Sequence, residues 1–400
     1  MRVSTANHYR QSLNQIMTIQ QRLAKFQSQV ATGQRIETPG DDPAGMALVM
    51  QIEERAQAAL QFARNGDHVE QRLNQVDSLL DNAIGTLQRV RDLTLQGRSE
   101  QLSSSDRAAI AQEIRERLSE FVDIGNARNA VGEYIFSGAQ TDTRPFTEAA
   151  NGTVNYLGDQ VRRELQISEG RALADGFTGD EVFMRIRNGN GTFAVELQAG
   201  NTGSAQITEN SVTDIAAYLP HDFRISFTGP NTFDVINDTT ATTVLAAQPY
   251  VEGAAISFQG ISVTMIGTPA TGDEFLVEPS ANQSVFETFD NLVQTLTSPT
   301  GTATEGAVFG FNMDRVIEDI DQVLSNFNQV RAIGGARLNT LFAQQQATDS
   351  ALLHLETLSS QIQDADLSEA VSLLAQEATA LEAAQAAFAR VQSISLFNFI

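Results

Sequence analysis

The sequence predicts an α+β fold in which a long antiparallel helical rod, built from the N- and C-terminal segments, carries an inserted β-rich outer module. Two observations predict it. Apolar residues recur at alternating steps of four and three near both ends of the chain, the spacing of a helical seam. Between them the period drops to two and turn residues punctuate it, the signature of strands. A chain of 400 residues also exceeds what a single core of ordinary size encloses.

The first helix is read from Tyr9 through Leu13, Ile16, Gln20, Leu23, Gln27 and Val30, a seam weakened by its two glutamines. It must end before 32–45, where Pro39, Gly40, Pro43 and Gly45 forbid a continuous helix. Asp41 or Asp42 is placed to cap the next helix, with Pro43 in its first turn. That helix is predicted over 44–96 and spans about 80 Å at 1.5 Å per residue. Its second half keeps register at Val69, Leu73, Val76, Leu80, Ala83, Leu87, Val90 and Thr94. Ser103 to Asp106 then reads as a turn and N-cap for a third helix, with Ile110, Ile114, Leu118, Phe121 and Ile124 inward and the helix packing back antiparallel.

At the other end, helices are predicted over 311–362 and 367–397. The last has a seam of Leu367, Val371, Leu374, Ala378, Leu381, Gln385 and Phe388. Between 145 and 310 the reading is β. Val182, Met184 and Ile186 alternate, Asn188-Gly189-Asn190-Gly191 supplies a turn, and Phe193, Val195 and Leu197 alternate again, which predicts a hairpin. A second hairpin is expected from Phe223, Ile225 and Phe227 through Gly229-Pro230-Asn231 to Phe233 and Val235, and a further strand region around Ile256 to Met265. One β module, or two in series, fits these strands.

The formal charge of −23 repels phosphate backbones and anionic headgroups, so neither nucleic acid nor membrane is an expected partner. There is no cysteine, hence no disulfide, thiolate metal site or cysteine nucleophile. The first 30 residues lack the apolar run of a cleaved secretory signal, and no stretch approaches a membrane span. Export, if it occurs, is expected to use a route that needs neither.

The ends differ in sign. Residues 1–36 hold Arg2, Arg10, Arg22, Lys25 and Arg35 and no acid; from Glu356 onward Asp364, Asp366, Glu369, Glu377 and Glu382 face Arg390 alone. Complementary flanking charge favours pairing of the two terminal helices with each other. Their glutamine-bearing seams bury too little to order alone, so the ends are expected to be loose in the monomer and to fold as copies assemble. Chemistry is not expected. His8, His68, His221 and His354 fall in separate elements, Asp41-Asp42 before Pro43 reads as a capping pair, and the glycine clusters at 132–138 and 189–191 lack the strand-to-helix phosphate motif. No cofactor or metal and no enzymatic activity are predicted.

Three segments resemble the flagellin superfamily: Gln29-Val-Ala-Thr-Gly-Gln-Arg-Ile36 with Pro39-Gly-Asp-Asp-Pro-Ala-Gly-Met46, Leu87-Gln-Arg-Val-Arg-Asp-Leu-Thr-Leu-Gln96, and Ile362-Gln-Asp-Ala-Asp-Leu-Ser-Glu-Ala-Val371. In that signature Gly33 and Arg35 form the turn, and Asp41, Asp42, Pro43 and Gly45 the loop that opens the long helix. Met1-Arg-Val-Ser-Thr5, Gly132-Glu-Tyr-Ile-Phe-Ser-Gly138 with Pro145-Phe146, and Ser395-Leu-Phe-Asn-Phe-Ile400 are similar to the hook-associated branch that forms hook-filament junctions.

The resemblance implies inner terminal helices at 1–42 with 363–400, a rod at 43–144 with 311–362, and an outer β-rich domain at 145–310. It implies a secreted subunit of the bacterial flagellum, exported by its type III apparatus with a chaperone on the C-terminal region. Its partners would be further copies in a ring, the first hook-associated protein, and flagellin. Arg89 and Leu93 with Glu113 also resemble a flagellin patch read by an innate immune receptor, for which subunit packing is the stronger expectation. The competing readings are a filament flagellin and a secreted adhesive or carbohydrate-binding protein; the latter is disfavoured because the commonest sugar-stacking residue, Trp, is absent.

Overall fold

The computed structural model describes residues 2–99, 101–149 and 152–397, with the side chains of 2–6, 8 and 391–397 outside the description. The chain divides into two compact units, Met1–Arg64 with Ala343–Ile400, and Asn65–Phe342. Two helices, α2 (Pro43–Gly97) and α5 (Ala303–Gln363), contribute residues to both. No helix among the described residues is long and apolar enough to cross a membrane.

The first unit pairs α1 (Arg2–Thr32) with α6 (Leu367–Phe397). Their direction is antiparallel: Tyr9 meets Phe388 with ring centroids 5.2 Å apart, and further along Arg22 Nε lies 3.2 Å from Glu377 Oε1. The opposite-sign ends thus touch across the pair at Arg22 and Glu377, while Lys25 and Arg35 turn to Asp41 and Asp42 on their own segment.

The second unit has two hydrophobic cores. In the helical one, α2 and α5 run antiparallel, tied by Arg91–Asp321 (2.7 Å), Arg98–Asp314 (2.8 Å) and Arg331–Asp77 (2.8 Å). A third helix, α3 (Ser104–Gly125), starts with a capping box in which Ser103 Oγ accepts from Asp106 N and Asp106 Oδ2 accepts from Ser103 N. Short ribbons follow, β1 (Phe146–Glu148) with β2 (Val154–Tyr156) and β3 (Glu164–Ser168) with β4 (Arg171–Ala174).

The hairpin expected around Asn188-Gly189 is not formed. Asp180–Met184 makes a π-helical turn that buries the adjacent Val182 and Phe183 on one side, which an alternating strand cannot do. The remainder, β5 (Ile186–Arg187), pairs instead with a late strand at Asn282–Gln283, and β6 (Phe193–Leu197) pairs with a strand at Glu274–Pro279.

The second core lies between two antiparallel sheets. Their strands are β6, β7 (Gln206–Val212), β8 (Phe223–Gly229), β9 (Thr232–Asn237), β10 (Thr242–Pro249), β11 (Ala255–Phe258), β12 (Ile261–Ile266) and β13 (Glu274–Pro279), followed by the short β14 (Asn282–Gln283) outside them. One sheet has the order β10-β9-β8-β13-β6, the other β11-β12-β7. The second expected hairpin is present, with Ile225 opposite Val235 and Phe227 opposite Phe233. Ile256 to Met265 forms another, its tight turn carried by Gln259 (φ 45°) and Gly260 (φ 77°). Phe223, Ile225, Phe275, Val277, Val263 and Met265 are all buried between the sheets.

Helices also return earlier than the period-two reading placed them. A helix α4 occupies Val285–Thr297, capped by Ser284 Oγ, which accepts from Glu287 N at 3.0 Å. The start of α5 alternates like a strand at Phe309, Phe311 and Met313, because this helix is buried on two sides: Phe309 and Met313 enter the helical core, Phe311 the sheet core.

Candidate assembly surface

The loop between α1 and α2 is built residue by residue around one capping interaction. Asp42 Oδ1 accepts from Gly45 N at 2.9 Å, the N-cap geometry, with Pro43 at the first helical position. A Cβ on Gly45 would stand 2.6 Å from Asp42 Oδ2 and 2.7 Å from Ile36 Cδ1, so only glycine lets Ile36, fully buried, slide beneath the helix start. Asp41 faces outward and accepts from Thr38 N (3.1 Å) and Thr38 Oγ1 (2.9 Å), with Lys25 Nζ 3.1 Å away. These donors, Thr38 first, hold its pKa down at about 2.

The loop is also a clasp on the far end of the chain. Gly33 adopts φ +75° and its carbonyl accepts from Ala365 N at 2.8 Å; Arg35 N donates to Gln363 O at 2.6 Å, and Arg35 Nη2 to Ile362 O at 2.6 Å. Gln29 Nε2 donates to Arg35 O from inside. Thus the segments 29–36 and 362–371, singled out separately in the sequence, meet. The sequence reading did not single out Ile36 as a packing residue or Gln29 as its support; an apolar residue directly before a Pro/Gly break was the available signal.

The seam residues fall into two groups. Leu73, Val76, Leu80, Leu87 and Val90, with Val69, Ala83 and Thr94, are buried by the chain itself against α3, α4 and α5. Each Leu or Val so enclosed stabilises the unit by about 1.5–3 kcal/mol. On the terminal helices, Leu13, Ile16, Leu23 and Val30 are only half-buried, together with Ile19 and Phe26, while Gln20 and Gln27 point to solvent. The helix has turned its seam slightly so that the apolar alternatives replace the glutamines. On α6, Leu374, Leu381 and Phe388 are half-buried, but Leu367 and Val371 are each 51% exposed.

The first unit therefore leaves large apolar side chains in solvent on every helix: Met17 on α1 (58% exposed), Leu48, Met50 and Leu60 on α2, Leu353 on α5 (66%), and Leu367 and Val371 on α6. An open groove of about 1000 Å³ also runs along α1 and α6, lined by Arg10, Ile16, Ile19 and Phe388 among others. Scattered exposed leucines need no explanation, but a helical unit with exposed apolar positions on all four members is surface suited to cover by another chain.

In the second unit Leu93 is buried and Arg89 forks onto Glu113 Oε1 at 3.0 and 2.9 Å, so this trio holds α2 to α3. The segment 132–138 plugs the helical core: Ile135 and Phe136 are buried, and Arg72, itself buried, donates to Ile135 O at 3.1 Å. Met1 and residues 398–400, at the tips of two of the segments quoted above, and the side chain of His8 lie outside the described residues. Among the described residues no three His, Asp or Glu side chains gather as a metal site.

Residues 3–141 match the family model of the bacterial flagellin N-terminal helical region, and 197–279 that of the flagellar hook-associated protein 1 D2-like domain. Flagellar hook-associated protein 3 of Escherichia coli K12 is 27% identical over 186 residues, 46% of this chain; the alignment spans 58% of that relative's length. Two solved structures extend the likeness. FlgL of Xanthomonas campestris is 31% identical with a TM-score of 0.68, covering 76% of this chain and 99% of that one. The flagellar junction protein FlgL of Legionella pneumophila is 30% identical with a TM-score of 0.71, covering 80% and 100%. With its antiparallel terminal helices, inserted sheets and matching loop, the chain belongs to the flagellar hook-associated protein 3 (FlgL) family.

Proposed function

We propose that the chain is a structural subunit of the bacterial flagellum, the adapter between the hook and the flagellin filament. Copies form a ring through the terminal helices; one side of the ring meets the first hook-associated protein and the other meets flagellin. The action is mechanical, with no turnover. The observation that carries this reading is the row of exposed apolar side chains on the first unit, in a family whose Legionella member is described as a junction protein. Leu13, Ile16, Leu23 and Val30 on α1, and Leu367, Val371, Leu374, Leu381 and Phe388 on α6, would gain their remaining cover from neighbouring copies. We assign 1–42 with 363–400 to the inner tube, 43–144 with 311–362 to the rod around it, and 145–310 to the outer surface. Export unfolded, with a chaperone on the C-terminal region, fits ends that order only on assembly.

Deleting the gene in its host tests the reading. Completed hooks with flagellin shed into the medium are expected; normal filaments would overturn it. A filament flagellin is the second reading, favoured by the match of 3–141 to the flagellin helical region. Growth of long filaments from the purified chain alone would select it.

A further inference from the structure

A groove of about 440 Å³ in the second unit gathers four arginines in a chain whose net charge is −23: Arg162, Arg185, Arg187 and Arg337. Two are neutralised locally, Arg162 by Glu181 and Arg185 by Asp180 at 2.7 Å. The other two have backbone carbonyls for partners: Arg187 Nη1 donates to Ser280 O, and Arg337 Nη1 to Gly176 O at 2.8 Å. Carbonyls fix a guanidinium without cancelling its charge. The Arg337 guanidinium carbon also sits over the Phe177 ring, 4.3 Å from its centroid, a second contact that restrains its fork. Burial, and then the charge of Arg162, push this guanidinium below its ordinary pKa, against the opposing pull of Glu181, Asp175 and Glu164. The groove's wall includes Ile333, 41% exposed, an apolar contact that a bare inorganic anion would not use.

We propose that this groove receives a carboxylate-bearing segment of a second copy of this chain, an inference that rests on the ring assembly proposed above. Charge complementarity chooses the occupant: with 49 acidic residues against 26 basic ones, a neighbouring copy is rich in carboxylates. Arg187 and Arg337 take the carboxylates as charge-assisted hydrogen bonds, and Ile333 packs against the segment's apolar side chains. The contact helps to set the azimuth of one subunit against the next, because the groove attracts carboxylates that the acidic faces repel.

A photo-crosslinking residue at Ile333, in the full chain assembled on flagella from a mixture of light and heavy isotope-labelled copies, tests this. Crosslinks joining light to heavy chain, at a peptide containing Asp or Glu, are expected. In the Arg187→Gln variant their yield falls by about tenfold or more, and in Arg187→Lys it is largely kept. The same crosslinker at Met17, on the first unit, is the control. Crosslinks between copies from Met17 with none from Ile333, or Ile333 crosslinks only within one chain or to a different protein, overturn the groove assignment alone. If neither position joins two copies, the ring reading itself fails.

Discussion

Glu318 offers the sharpest test of how the sheet module is joined to the helices. It stands on α5 and its Oε1 accepts from Asn210 Nδ2 on β7 at 2.6 Å, while Asn190 Nδ2 donates in turn to Asn210 Oδ1 at 2.7 Å. Next to it, Asp319, almost fully buried, accepts from Gly189 N at 2.8 Å. The nearest cation on the helix, Arg315, is spent on Glu196. Burial therefore raises the Glu318 pKa to about 7, helped by Asp319, Asp314 and Asp321 and opposed by the Asn210 bond.

A folded-state pKa above the ordinary 4.5 means that the neutral acid contributes stability fully present below pH 4.5 and lost as pH rises through about 7. At 1.36 kcal/mol per unit the loss approaches about 3 kcal/mol, and side-chain exposure lowers this toward about 1–2 kcal/mol. Glu318→Gln keeps the acceptor and removes the titration. Hydrogen exchange of the β7 and α5 amides, corrected for intrinsic rates, should show the variant equal to the parent at pH 4.5 and more protected at pH 8. Equal pH dependence in both proteins, or lower protection of the variant at pH 8, would refute the argument.

Phe183 meets the rings of Phe121, Phe136, Phe146, Phe286 and Phe327 within 6.5 Å, so Phe183→Ala should cost about 3–5 kcal/mol in denaturant unfolding; a loss under about 1 kcal/mol would mean the cluster collapses around the gap. Gly179→Ala places a methyl 2.7 Å from the Phe146 and Tyr156 rings and 2.9 Å from Phe136 O, none of which can retreat, and should destabilise by about 1–3 kcal/mol in the same assay. Asp41, with its pKa lowered to about 2, stabilises its loop above the ordinary 3.8, and that contribution disappears as pH falls toward 2; protection of the Thr38 amide should fade over that interval in the parent and show no such step in Asp41→Asn. Limited proteolysis of the free chain should cut α1 and α6 before the sheets, and equal resistance throughout would contradict assembly-coupled ordering.

Helices were legible wherever one face was buried. The seam from Val69 to Thr94 is regular because a single stripe meets α3, α4 and α5, and the Ser103–Asp106 box marks α3 unambiguously. Legibility failed where burial was two-sided. Val182, Met184 and Ile186 alternate like a strand, but Val182 and its neighbour Phe183 enter the helical core together, and the start of α5 before residue 311 was read as β although Phe309 and Phe311 enter two different cores from one helix. The helix α4 was readable after the fact, since Val285, Phe286, Phe289, Leu292 and Leu296 follow a helical period behind a Ser-x-x-Glu start. On the terminal surface, Pro43, Gly45 and a cap at Asp41 or Asp42 were legible from backbone demands, while Gly33 entered only through the family resemblance. That Ile19 and Phe26 replace the glutamines at 20 and 27 depends on a rotation of about one residue, which spacing does not fix.

The clasp of Arg35 on Ile362 and Gln363 joins groups 327 residues apart or more. A polypeptide emerging N-terminus first can therefore hold Asp42 on Gly45, a contact within four residues, long before any acceptor for the Arg35 N–H exists. Closure requires the chain to have been made as far as Ala365. A chain cut short anywhere in the sheets or before residue 362 leaves that backbone donor and the Gly33 carbonyl without these partners, so the loop's last bonds wait on the far end of the rod.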